Sequence, residues 1–88
     1  MQKFFVYLLE CRDKSLYCGS TKDLKARIQL HNAGKASKYT RSRKPVKLVF
    51  FEECKSRNAA LKREIEIKAM TRKQKQAIAM RLETLPTL

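Results

Sequence analysis

At 88 residues the chain makes one small domain, too short for a second lobe or a multi-step machine. Lysine and arginine total 21 against 8 acidic residues, a formal net charge of +13, which makes a polyanion the expected partner and nucleic acid the first to consider. No apolar run approaches the about 20 residues of a membrane-spanning helix, no segment has the bulky apolar face of an interfacial helix, and the N-terminus lacks a signal-peptide pattern, so no membrane partner and a cytoplasmic location are expected.

The first element is an apolar run from Phe4 to Leu9, and a second short run, Leu16 to Cys18, follows a break at Arg12-Asp13-Lys14-Ser15. This pattern predicts an antiparallel hairpin. A turn centred near Asp13 sets Tyr17 opposite Leu9 and Gly19 opposite Tyr7, which brings both phenols to one face; a slip of one residue would separate them. Tyrosines also suit strands for packing alone, so the hairpin by itself does not make them functional. Cys11, Cys18 and Cys54 lack the paired short spacing of a zinc site and are expected as reduced thiols.

Ser20 to Asp23 offers caps for a first helix over Leu24 to Asn32, and Gly34 stands where a left-handed C-terminal cap belongs. At about 100° per residue from Leu24, His31, Ile28 and Leu30 define an inward arc, and Arg27 falls inside it. The stretch from Gly34 to Pro45 has no apolar period and carries Lys35, Lys38, Arg41, Arg43 and Lys44 around Tyr39. It is expected as a basic loop, either a solubilising surface or a segment that contacts a nucleic-acid backbone and stacks on a base. Val46 to Phe51 reads as a third strand ending at Glu52-Glu53.

Ser56 or Asn58 can cap a second helix reaching about Met70, in which Leu61, Ile65, Ala69, Ala60 and Ile67 point inward with Glu64 among them, while Glu66 faces away. A carboxylate placed there needs a partner. It is either the ion-pair partner of Arg27 or a metal ligand facing a cleft. Thr71 to Gln74 has capping-box spacing, and Gln74, Ile78, Arg81 and Leu82 continue a third helix before Pro86. The order of elements predicts an α+β domain over residues 1–88. Its three-stranded sheet has the first strand central and antiparallel to both neighbours, and three helices flank it.

Val6-Tyr7, Tyr17-Cys18-Gly19, Arg27 within Lys25 to Asn32, and Glu64 within Ala60 to Lys68 together resemble the GIY-YIG nuclease domain over about residues 3–79. The similarity is greatest to the small stand-alone bacterial members, which are like the N-terminal nuclease domain of the UvrC repair protein. Phe5, Val6 and Cys18 depart from the family pattern without removing a functional side chain, and no match is found to the asparagine that larger members carry after the glutamate. The resemblance implies a metal-dependent endonuclease that hydrolyses DNA phosphodiesters, DNA ahead of RNA, with DNA repair as a setting and a protein partner as a source of targeting. It further implies one Mg²⁺ or Mn²⁺ held by Glu64, a phosphate contact from Arg27, a water-activating role for one of Tyr7 and Tyr17, with Tyr17 favoured as base, and a supporting role for His31. The alternative is a non-catalytic module that binds DNA or RNA within a larger complex.

Overall fold

The structure is a computed structural model and describes residues 3–80. Strand β1 (Phe4–Glu10) is central and pairs antiparallel with β2 (Leu16–Thr21) on one side and β3 (Lys47–Cys54) on the other. Tyr7 lies opposite Gly19 and Leu9 opposite Tyr17, the register expected from the turn. That turn closes with Lys14 N–H donating to Cys11 O at 2.9 Å and Cys11 N–H to Ser15 O at 2.9 Å. Because β2 and β3 run parallel to each other, the chain between them must cross over the sheet, and α1 (Leu24–Asn32) is that crossover. Its ends match the expectation: the Asp23 side chain accepts from Ala26 N–H, and Gly34 follows the helix at φ +76°.

The two faces of the sheet are covered by different helices. Tyr7 and Leu9 pack with Cys11, Leu24 and Val46 beneath α1, whereas Val6, Leu8, Cys18, Phe50 and Cys54 pack with Ala60 and Ile67 of α3 (Arg57–Lys68). The last helix, α4 (Arg72–Met80), adds Ile78 to the second cluster. Thr71 and Gln74 form the reciprocal box expected at its start: Thr71 N–H donates to Gln74 Oε1 at 2.9 Å and Gln74 N–H to Thr71 Oγ1 at 3.1 Å. Arg81, Leu82 and Pro86, invoked for the end of this helix, lie outside the described residues.

Four expectations are corrected. The basic segment is not wholly loop: Lys38–Arg41 form a one-turn helix, α2, capped by Ser37, so four helices rather than three accompany the sheet among the described residues. β3 runs on through Glu52 and Glu53 to Cys54, because Arg63 and Lys3 pair with those carboxylates, and it carries a bulge at Val49 between the Leu8–Phe50 and Leu9–Leu48 pairs. In α3 the buried stripe is Ala60 and Ile67, whereas Leu61 and Ile65 are 43% and 69% exposed. In α1, Leu30 is likewise 41% exposed, so Arg27 sits at the margin of the buried arc rather than inside it. All three cysteines are free and buried. Among the described residues no helix is long and apolar enough to cross a membrane.

Candidate active site

The site is built on the edge strand β2. Tyr7 and Tyr17 share the α1 face with ring centroids 6.5 Å apart, and the pair closes only because residue 19 is glycine. A methyl group at that position would lie 2.5 Å from Tyr7 Oη and 2.7 Å from its Cζ, and 3.2 Å from Tyr17 Cε2. Tyr7 is fixed by burial and has no room to withdraw, so Gly19→Ala is expected to cost about 1–3 kcal/mol through overpacking, read as a lowered thermal midpoint. An unchanged midpoint would show that the ring is not held where its packing places it.

His31, from the last turn of α1, is 1% exposed and receives Tyr7 at Nε2, 2.9 Å from the hydroxyl. Burial, reinforced by the Tyr17 ring and only partly offset by the Arg27 charge, pushes the Tyr7 phenol well above its ordinary range. Tyr7 therefore keeps its proton and donates it, and Nε2 accepts. The ring proton of a neutral imidazole must then sit on Nδ1, which lies 2.7 Å from Thr40 Oγ1. Burial and then Arg27 also hold His31 below its usual range, in keeping with the neutral ring. Thr40, fully buried on α2, lies 2.9 Å from Ser37 Oγ, which caps the same turn. Thr40 and Ser37 were not picked out from the sequence, since a one-turn helix leaves no period to read. Thr40→Val would leave His31 Nδ1 without an acceptor, at about 1–3 kcal/mol, or roughly 4–8 °C of thermal midpoint per kcal/mol, whereas Thr40→Ser should keep the bond. Equal midpoints for the two variants would contradict this chain of donors.

Tyr17 is the more accessible phenol, and among the described residues its hydroxyl has no hydrogen-bond partner. Its ring is set edge-on to His31 at 5.0 Å and stacked on Tyr39 at 5.9 Å. Tyr39, expected as a stacking surface for a base, thus supports the tyrosine pair. Arg43 lies over the Tyr39 ring at 4.0 Å, pairs through Nε with Asp13 at 3.1 Å and donates from Nη1 to Tyr39 O at 3.0 Å, so two of its three nitrogens are engaged within the domain. Lys35, Lys38, Arg41 and Lys44 remain exposed, and none forms an ion pair among the described residues.

Arg27 reaches the site from α1, and Glu64 approaches from α3 on the other face, across β2. Both charges act on the Tyr7 phenol, the guanidinium favouring its ionised form and the carboxylate opposing it. The two do not pair with each other. Glu64 Oε2 is instead 2.8 Å from Lys68 Nζ one turn on, and that bond holds the Lys68 ammonium above its usual range. Lys68 joins Thr40 and Ser37 as a residue not singled out by the sequence, although an acid and a lysine four apart on a helix signal such a pair. Among the described residues no group of three or more His, Cys, Asp or Glu side chains converges to enclose an ion. A lone carboxylate, only 16% exposed and with Oε1 uncommitted, fits a hard cation that keeps most of its waters and takes few protein ligands.

The GIY-YIG catalytic domain family model matches residues 3–77. A UPF0213 protein of Haloquadratum walsbyi is 55% identical over 75 residues, covering 85% of this chain and 84% of that protein. Two solution NMR structures share the fold. A protein from E. faecalis is 35% identical at a TM-score of 0.61, covering 100% of this chain and 96% of that one. The UPF0213 protein BH0048 from Bacillus halodurans is 39% identical at a TM-score of 0.58, covering 96% and 88%.

Proposed function

The chain belongs to the GIY-YIG catalytic domain family, a nuclease family, and on that premise we propose that it is a metal-dependent endonuclease that hydrolyses phosphodiester bonds of DNA. The observation that carries this reading is the meeting of Tyr7, Tyr17, Arg27 and Glu64 around one edge strand, supplied by β1, β2, α1 and α3. Glu64 would hold one Mg²⁺ or Mn²⁺, which when bound supplies Lewis-acid stabilisation of a phosphoryl oxygen. Arg27 offers a planar, permanently charged fork to the scissile phosphate, where negative charge grows as the bond to the attacking oxygen forms.

Tyr17 is the proton acceptor. The Arg27 and Lys68 cations lie beside the tyrosine pair. Tyr7 donates a hydrogen bond to His31 Nε2, and its oxygen lone pairs remain to accept from, and orient, the attacking water. His31 positions Tyr7 and is itself positioned by Thr40. Cleavage that appears with Mg²⁺ or Mn²⁺ and stops with EDTA is the expected result, and cleavage indifferent to EDTA would remove the metal from the account.

Binding is expected to be sequence-tolerant and strongly salt-dependent. Neutralising Lys35, Lys38, Arg41 and Lys44 together should flatten the slope of log affinity against log salt, by about 0.9 for each phosphate of duplex DNA that the variant no longer neutralises. Arg43 is left out because its role is internal. An unchanged slope would take this face off the binding surface.

A further inference from the structure

Glu64 and Lys68 stand one turn apart on α3, and their pair differs from the usual surface pair of that spacing. Lys68 Nζ lies 2.8 Å from Glu64 Oε2, with the lysine side chain 53% exposed but the carboxylate only 16%. Helix stability does not call for the bond, since Lys68 is in the last turn of α3, where a positive charge already suits the helix end. Arg63, the basic residue next to Glu64, is committed to Glu52 at 3.2 Å and to Glu66 at 3.0 Å. Lys68 is thus the cation given to Glu64, and its charge reaches Tyr17 and Cys18 on β2 as well. Two cations on one carboxylate oppose each other. An ion held through Oε1 shares the group with the ammonium on Oε2, and like charges repel most where solvent screens them least. Arg27 adds a further positive charge at the tyrosine pair, and the whole chain carries +13.

We infer that Lys68 is a place-holding cation on Glu64, which keeps the affinity of that carboxylate for a divalent metal low until a phosphodiester arrives to accept the ammonium instead. The inference rests on Glu64 as the metal ligand and goes further by naming what regulates it. The flexible four-carbon stem of Lys68 and its half-exposed head let the ammonium swing from carboxylate to phosphate while α3 stays in place. The phosphate brings the negative charge that a metal, Arg27 and Lys68 together require. Metal and nucleic acid then bind cooperatively, and by linkage each raises the affinity of the other by the same factor. A metal is thereby held back from the site when no backbone lies across it.

The test needs no turnover. Mn²⁺ is titrated into the purified protein without nucleic acid, and the free ion is followed by electron paramagnetic resonance. Lys68→Met should bind Mn²⁺ about tenfold or more tightly than wild type, because the opposing charge is gone. Lys62→Met is the control for net charge: it removes a cation two residues from Glu64, on a different face of the helix, and should change the affinity little. Lys62 and Lys68 are both exposed, so the variants are expected to fold. Fluorescence anisotropy of a labelled phosphorothioate oligonucleotide, which resists hydrolysis, then reads the coupling. Mn²⁺ should tighten its binding by a larger factor in wild type than in Lys68→Met. Equal Mn²⁺ affinity in wild type and Lys68→Met, equal gains in Lys62→Met and Lys68→Met, or equal coupling factors would each overturn the inference. Mn²⁺ bound by Glu64→Gln as tightly as by wild type would instead remove Glu64 as the metal ligand, and the nuclease reading with it. Tighter Mn²⁺ binding by Lys68→Met, in a protein that cuts nothing, would keep the place-holder and discard the chemistry.

Discussion

Glu64→Gln is expected to lower the rate of phosphodiester cleavage by at least about a hundredfold while nucleic-acid affinity holds or rises, because on the proposed function the change removes the metal-holding carboxylate and a negative charge near the phosphate. The fold should tolerate it. The interaction removed is a single pair with Lys68, whose side chain is 53% exposed, and pairs this open contribute little to stability. Glu66→Gln is the control. Glu66 is 63% exposed, pairs with Arg63 at 3.0 Å and faces away from β2, so its loss should leave cleavage within a small factor of wild type. Single-turnover rates with binding measured on the same preparations decide the matter. Equal cleavage by the two variants would show that the metal site is elsewhere.

Arg27→Lys is expected to reduce turnover by about 10²–10³-fold, although the formal charge is kept. A lysine is a point charge and cannot present two aligned donors to one phosphate. The competing account makes Arg27 the buried ion-pair partner of Glu64. The geometry opposes it: Glu64 is already paired with Lys68, and Arg27, half-buried, has no ion pair among the described residues. The thermal midpoint should therefore move little. Breaking a truly buried pair costs about 3–5 kcal/mol, and at roughly 4–8 °C per kcal/mol that loss would be plain in one melt. A steep fall in midpoint with unchanged turnover per folded molecule would return Arg27 to the core.

Much of the frame was legible because local signals agreed. Asp23 and Gly34 bound α1, and the Asp13 turn set the register that brings Tyr7 and Tyr17 together. What was not legible depends on tertiary contact. The unbroken apolar run from Val46 to Phe51 hides the bulge at Val49, since period-2 alternation is absent when both faces are buried. In α3 the helical period centres on the large residues Leu61 and Ile65, yet small Ala60 lies against the sheet and the large ones stay out. The helix sits close to β2 here, with Cys18 Sγ 4.0 Å from Glu64 O. The partnership of Thr40 with His31 joins residues on different helices, and no spacing rule announces it. Tyr39 and Arg43 read as nucleic-acid contacts from charge and aromaticity, and the stack of Tyr39 on Tyr17 beneath Arg43 is a tertiary contact that no spacing shows.

The central claim is that residues from four elements form a working hydrolytic site rather than a binding surface. It is tested most directly by incubating the purified protein and its Glu64→Gln variant side by side with end-labelled single-stranded, duplex and branched DNA and RNA, with Mg²⁺, Mn²⁺ or EDTA. The account predicts metal-dependent cuts in DNA by the wild-type protein and none by the variant, with both proteins bound to the substrate. Intact substrate throughout, with wild-type and variant binding equally, would contradict it and leave the domain as a nucleic-acid-binding module.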